Sequence, residues 1–188
     1  MSNTDKPDLG KYRSRMEKAV VALKEEFATL RTGRASAALL DQVQVEAYGS
    51  RMPVNQVGAV SVPEPRSINV NVWDKALVVS VEKAIRNSGL GLNPVVEGQN
   101  MRIPIPPLSE ERRRDLVKLA GKYAEQQKVA VRNVRREAME DLRKAEKDAV
   151  IGQDEHRHLE HEVQKLTDDA VKRVDESLKA KEHEIMQV

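Results

Sequence analysis

Pro106-Pro107-Leu108-Ser109-Glu110-Glu111 opens the stretch that decides the fold, because no proline follows it anywhere in the chain. Ser109 suits a helix N-cap, and the two glutamates beside it suit the positive end of a helix dipole. Leu116, Leu119, Tyr123, Ala130, Val134, Ala138, Leu142, Ala145 and Ala149 then recur at helical spacing, with Gly152 as the stop. Some 40 residues at about 1.5 Å each predict a helix roughly 60 Å long. It carries one apolar stripe and cannot bury that stripe alone.

Two partners lie on either side of it. Leu9, Tyr12, Met16, Val20, Leu23, Phe27 and Leu30 form a single stripe before it. Leu159, Val163, Leu166, Ala170, Val174, Leu178 and Ile185 form another, on a helix starting near Asp154. Three long helices with one stripe each predict a three-helix bundle. Between the first and second helices the chain changes character: seven of eight prolines lie between Pro53 and Pro107, and six of nine glycines between Gly33 and Gly98. Val43, Val45 and Ala47 alternate with polar residues before a turn at Gly49-Ser50, and residues 59–62 and 68–73 repeat that period of two. Val62 to Arg66 reads as a turn, Leu77 to Ile85 as a short helix, and Met101, Ile103 and Ile105 as a last strand. Pro104 points to an edge position for that strand. The expected fold is α+β: a bundle from residues 1–34 and 106–188, with a small β/α/β domain, residues 35–105, inserted in it. Thr32, Gly33 and Ala35 on one connection, and Pro104, Ile105, Pro106 and Pro107 on the other, form a two-strand hinge.

Composition narrows the function. The 188 residues contain 32 Lys and Arg against 30 Asp and Glu, no cysteine and 3% aromatics. Disulfides, thiolate catalysis and cysteine zinc sites are excluded, and the core must be aliphatic. Met1-Ser2-Asn3-Thr4-Asp5-Lys6-Pro7 lacks the apolar centre of a signal peptide, and no apolar run reaches the ~20 residues of a membrane span. The expected address is cytoplasmic, with no membrane partner.

The near-neutral total conceals a polarity. Residues 112–147 carry 12 basic and 6 acidic side chains, residues 148–188 carry 6 and 11, and residues 35–106 carry 6 of each. Lys128, Arg132 and Arg136 are four apart, Arg135 is three from Arg132, and no carboxylate lies between Gln126 and Arg136. They stack on one helix face and point outward together, with Asn133 adding a donor and acceptor. That pattern fits a nucleic-acid stripe; it fits equally a solvated face paired with the acidic third helix. Arg31 and Arg34 flank Gly33 at the end of the first helix; a C-terminal cap accounts for Gly33 and one arginine, and cations at the hinge are compatible with it.

No phosphate-cradling G-x-x-x-x-G-K-[ST] or G-x-G-x-x-G is present, nor a G-x-S-x-G nucleophile. Glu155-His156-Arg157-His158 holds one E-x-x-H where helical di-iron sites use two, and His158 with His161 would need a third zinc ligand. A solvated, charged helix start explains these histidines. Trp73, alone of its kind, is expected in the core of the small domain. No metal, no cofactor and no catalytic residue are expected. A helical adaptor remains open on the residues alone.

Leu30-Arg31-Thr32-Gly33-Arg34-Ala35-Ser36 resembles a signature of the ribosome recycling factor family. So do Gly91-Leu92-Asn93-Pro94, the run from Arg102 to Arg113, and Val131-Arg132-Asn133-Val134-Arg135-Arg136. Gln164-Lys165-Leu166-Thr167-Asp168 is similar to its third-helix motif, whereas Pro65 after Glu64 departs from its pattern in a turn. The resemblance implies an L-shaped, monomeric, non-enzymatic translation factor. Its bundle would bind large-subunit ribosomal RNA, not DNA, and elongation factor G with GTP would then separate the subunits. It implies RNA contacts at Arg31, Arg34, Arg132, Asn133 and Arg135.

Overall fold

The computed structural model describes residues 6–187, so Met1–Asp5 of the expected leaderless N-terminus lie outside it. The chain divides into two compact units: one runs through Leu30 and resumes over Glu110–Gln187, the other is Arg31–Ser109.

The helical unit packs α1 (Leu9–Ala28), α3 (Glu110–Lys147) and α4 (Gln153–Met186) on one another, and α2 (Val78–Arg86) lies in the other unit. Asp8 caps α1 by accepting from the Gly10 N–H at 2.8 Å. The stripe Tyr12, Met16, Val20, Leu23 and Phe27 is buried, with Ala19 beside it. Against these large side chains α3 sets small ones: Ala120, Ala124 and Ala138 are buried between Leu116, Val131, Val134 and Leu142. Large residues facing small ones let helices approach at native packing density. The stripe drifts from the expected one, since Val131 is buried where Ala130 is only half-buried and Ala149 is exposed. On α4, Val163, Ala170, Val174 and Ile185 are buried. Thr167 joins them because its hydroxyl donates to the Val163 carbonyl at 2.9 Å.

Gly152 is not the stop. α3 ends at Lys147, and Ala149 takes the left-handed conformation at φ 55°. The Val150 N–H then reaches the Ala145 carbonyl and the Ala149 N–H that of Glu146, at 2.9 and 3.0 Å. This is a Schellman ending with alanine where glycine is usual. Gly152 instead precedes α4 as its extended N-cap.

Polar clamps set the helix register. Tyr12 donates to Asp141, Arg15 pairs with Glu137, and Arg173 grips both oxygens of Glu17. Burial, then the bond to Asp141, push the Tyr12 phenol up, while the guanidinium bonds pull the Glu17 and Glu137 carboxyls down.

In the second unit, β1 (Gln44–Ala47) and β2 (Ser50–Pro53) form a hairpin. Four antiparallel strands follow in the order β3-β4-β6-β5: β3 is Gly58–Glu64, β4 Ser67–Val72, β5 Val95–Glu97 and β6 Asn100–Pro104. The helix α2 (Val78–Arg86) supplies Val81 and Ile85 to a core shared with Val45, Ile68, Val70, Val72, Met101 and Ile103. Several expectations are corrected. β2 and β5 were not foreseen, being short and weakly patterned, and Ile105 lies just past β6 rather than in it. β6 is an inner strand; Pro104 is tolerated as its last residue, beyond Arg102 where β5 ends. The turn at Val62–Arg66 shrinks to Pro65-Arg66, because β3 continues through a bulge to Glu64 on the sheet edge. The first hairpin turns at Tyr48-Gly49, one residue earlier than expected.

Trp73 is not in the core; it is 62% exposed. Ile68, Val70 and Val72 face inward, so the period of two sends residue 73 out.

Candidate nucleic-acid interface

Only part of the cationic run on α3 faces solvent. Lys128 pairs with Asp175 of α4 and keeps only 18% of its side chain exposed. Arg135 donates through Nε to Gln164 Oε1 at 2.8 Å, and Gln164 in turn donates to Asp168. The expectation of four cations pointing outward together therefore fails for these two. Both lie on the flank of the stripe nearest α4, whose carboxylates and amides meet them. Arg132 is exposed and bonded at 3.3 Å to Glu125, a carboxylate two turns back on the same helix. Arg136 and Asn133 are exposed. The run is thus divided between neighbouring edges of one helix: Lys128 and Arg135 belong to the α3–α4 contact, Arg132 and Arg136 to the surface.

A shallow groove of about 230 Å³ continues the exposed edge. Arg135, Arg136 and Arg143 supply its cations, Glu140 and Glu160 its opposing charge, and Met139 also lines it. Sequence reading missed Arg143. Its signal was the spacing of seven from Arg136, two helical turns, but Glu137, Glu140 and Asp141 interrupt the run. Guanidinium forks on a ridge offer bidentate donors for phosphates.

Arg31 and Arg34 lie in the other unit, and both are exposed. Between them Gly33 adopts φ 79°, and a Cβ there would sit 3.2 Å from Leu108 Cγ. The two connecting segments are tied to one turn of the sheet: the Ala35 N–H donates to the Pro65 carbonyl at 2.7 Å, and the Ile105 N–H to that of Arg66 at 2.9 Å. Ala35 and Ile105, two of the expected hinge residues, are thus fixed to the sheet, and Thr32, Gly33, Pro106 and Pro107 lie outside these two bonds.

His158 and His161 are exposed, and no cluster of three metal-ligating side chains occurs among the described residues. His156 departs from the expected solvated helix start. Its ring is nearly covered, bonded by Nδ1 to Glu146 of α3, with Nε2 3.1 Å from Glu160. It ties the α3–α4 turn. No helix among the described residues is long and apolar enough to cross a membrane.

Comparison with known proteins gives this geometry its context. Residues 23–186 match the model of the family described as ribosome recycling factor. The ribosome-recycling factor of Caulobacter vibrioides is 74% identical over 188 residues, the full length of both chains. A solution structure of the ribosome recycling factor is 45% identical with a TM-score of 0.66, covering 98% of this chain and all of the other. A second solved neighbour, also 45% identical, has a TM-score of 0.57 over 95% of this chain and 96% of its own. It belongs to models of the T. thermophilus ribosome recycling factor and the E. coli elongation factor G bound to the E. coli post-termination complex. With a family match across most of its length and relatives alike from end to end, this chain belongs to the ribosome recycling factor family.

Proposed function

We propose that the protein binds the post-termination ribosome through its helical unit and, with elongation factor G and GTP, drives separation of the subunits. The observation that carries this is the exposed edge of α3. Its apolar face is covered by α1 and α4, yet Arg132, Asn133 and Arg136 stay in solvent with Arg143 two turns on. That edge suits the phosphates of large-subunit ribosomal RNA, which such forks contact without reading sequence. Arg31 and Arg34 add contacts from the other unit, whereas Lys128 and Arg135 act chiefly by fixing α4 against α3. The solved relative assembled with elongation factor G on a post-termination complex supports the choice of partner. The segments 31–35 and 104–107 serve as a hinge between the RNA-anchored helical unit and the inserted sheet unit. The protein acts as a cytoplasmic monomer and performs no covalent chemistry.

The test is a sucrose gradient of post-termination ribosomes incubated with the protein, elongation factor G and GTP. The 70S peak should convert to subunits only when all three are present. An undiminished 70S peak would refute the reading.

A further inference from the structure

A cleft of about 560 Å³ opens within the sheet unit, between the first hairpin and α2. The function proposed above does not use it, yet its volume lies in the range of roughly 300–1,000 Å³ that small-molecule sites occupy.

Two polar faces make its walls. Val43, Val45 and Ala47 are buried, so the period of two turns Gln42, Gln44 and Glu46 to the opposite side. Arg51 of β2 is the register partner of Glu46 and shares that side. On α2, Val78, Val81 and Ile85 go into the core, which leaves Ser80, Lys83, Ala84 and Asn87 along one flank of the helix. The Ser88 hydroxyl donates to the Ile85 carbonyl at 2.6 Å and accepts the Leu90 N–H at 3.4 Å. That fixes the turn whose Ser88 and Leu90 complete the lining.

One cation stands on each wall. Glu82, next to Lys83, is taken by Arg86, which also donates to the Pro94 carbonyl at 3.1 Å. Lys83 is exposed and has no ion pair among the described residues. Arg51 meets Glu46 only at 4.0 Å, with the two side chains 74% and 83% exposed, a pair too loose and too hydrated to hold the guanidinium. Two cations against one carboxylate leave the cleft positive, in a region whose charges otherwise balance. A guanidinium fork opposite an ammonium suits the oxygens of a phosphate.

The other groups select what carries that phosphate. The amides of Gln42, Gln44 and Asn87 both donate and accept, as sugar hydroxyls do, and none is bonded to another described side chain. No aromatic ring lines the cleft, so a nucleobase finds no stacking surface. Val43, Ala84 and Leu90 offer aliphatic contact to a carbon skeleton instead.

We propose that this cleft binds a small phosphorylated sugar, its phosphate held by Arg51 and Lys83 and its hydroxyls by Gln42, Gln44 and Asn87.

An NMR titration of the full-length chain with ribose 5-phosphate tests it. Amide shifts should move along β1, at Arg51 and along α2, and saturate at millimolar ligand. Arg51→Ala and Lys83→Ala should each weaken binding about tenfold or more, as for a lost hydrogen bond to a charged group. Both side chains are exposed, so the melting temperature should hold. Arg102→Ala should bind as the wild type does, because Met101 and Ile103 face the core and turn residue 102 to the other side of the sheet. Inorganic phosphate, lacking the hydroxyls, should bind more weakly than ribose 5-phosphate, and adenosine 5′-monophosphate no more tightly. Phosphate binding as tightly as the sugar phosphate, or the nucleotide binding more tightly, would overturn the sugar assignment. Absence of saturable shifts, or undiminished affinity in either Ala variant, would overturn the site itself. The titration needs neither ribosome nor elongation factor G, so its outcome is independent of the recycling reading.

Discussion

The helical unit keeps its aromatics inside and its charges polarised outside; the sheet unit has a neutral surface and wears its aromatics on it. The contrast follows from how each builds a core. Three helices present curved surfaces with gaps between them, and Tyr12, Met16, Leu23 and Phe27 of α1 fill those gaps against the small residues of α3. A small sheet under one short helix is filled by Val, Ile, Leu, Ala and Met, with no aromatic residue. The surface of each unit then carries a different chemistry, guanidinium forks on one and exposed aromatics on the other.

The sharpest way to break this comparison is within the cores. Leu23→Ala, at a side chain with no exposure, should destabilise the helical unit by about 2–5 kcal/mol. Trp73→Ala should change stability by no more than about 0.5 kcal/mol, as expected of an exposed site. Urea unfolding followed by helical circular dichroism checks both, and equal effects would erase the distinction.

The next test separates the two edges of α3. Arg136→Ala should weaken large-subunit binding by about 1–3 kcal/mol, as for a charge-assisted contact, with the melting temperature unmoved. Lys128→Ala should instead lower the melting temperature, because it leaves Asp175 without its partner. For the wild type, four to six phosphate contacts predict a log–log salt slope of roughly −3 to −5. A flat slope would return Arg132 and Arg136 to the status of a solvated face.

A smaller effect is expected at the α3–α4 turn. Ala149→Gly relieves a left-handed alanine and should stabilise the helical unit by about 0.5–1 kcal/mol, visible as a raised urea midpoint. Smallest is the acid response. The Glu17 and Glu137 carboxyls are held below their usual value by Arg173 and Arg15, so their contribution is complete above that value. It is lost as the pH falls from about 5 through the lowered values. Replacing both with glutamine should flatten the fall in melting temperature over that range.

Much of this was legible beforehand. A stripe of seven residues defined α1 to within two residues of its observed end, because helical periodicity is a local property. Even the exposure of Trp73 was written in the alternation of Ile68, Val70 and Val72, although the rarity of tryptophan argued for the core. β2 and β5 escaped notice because three or four residues carry too little pattern, and only pairing with β1 and β6 makes them strands.

The sequence by itself determined the two kinds of unit, the three amphipathic helices and the cationic face of α3, since each follows from the spacing of residues along one element. Only the tertiary structure decided which of those cations remain in solvent. Asp175 and Gln164 lie 47 and 29 residues from Lys128 and Arg135, and no local pattern records that α4 returns to lay them alongside. Charge in a sequence is additive along the chain, whereas its field is spent pairwise in space.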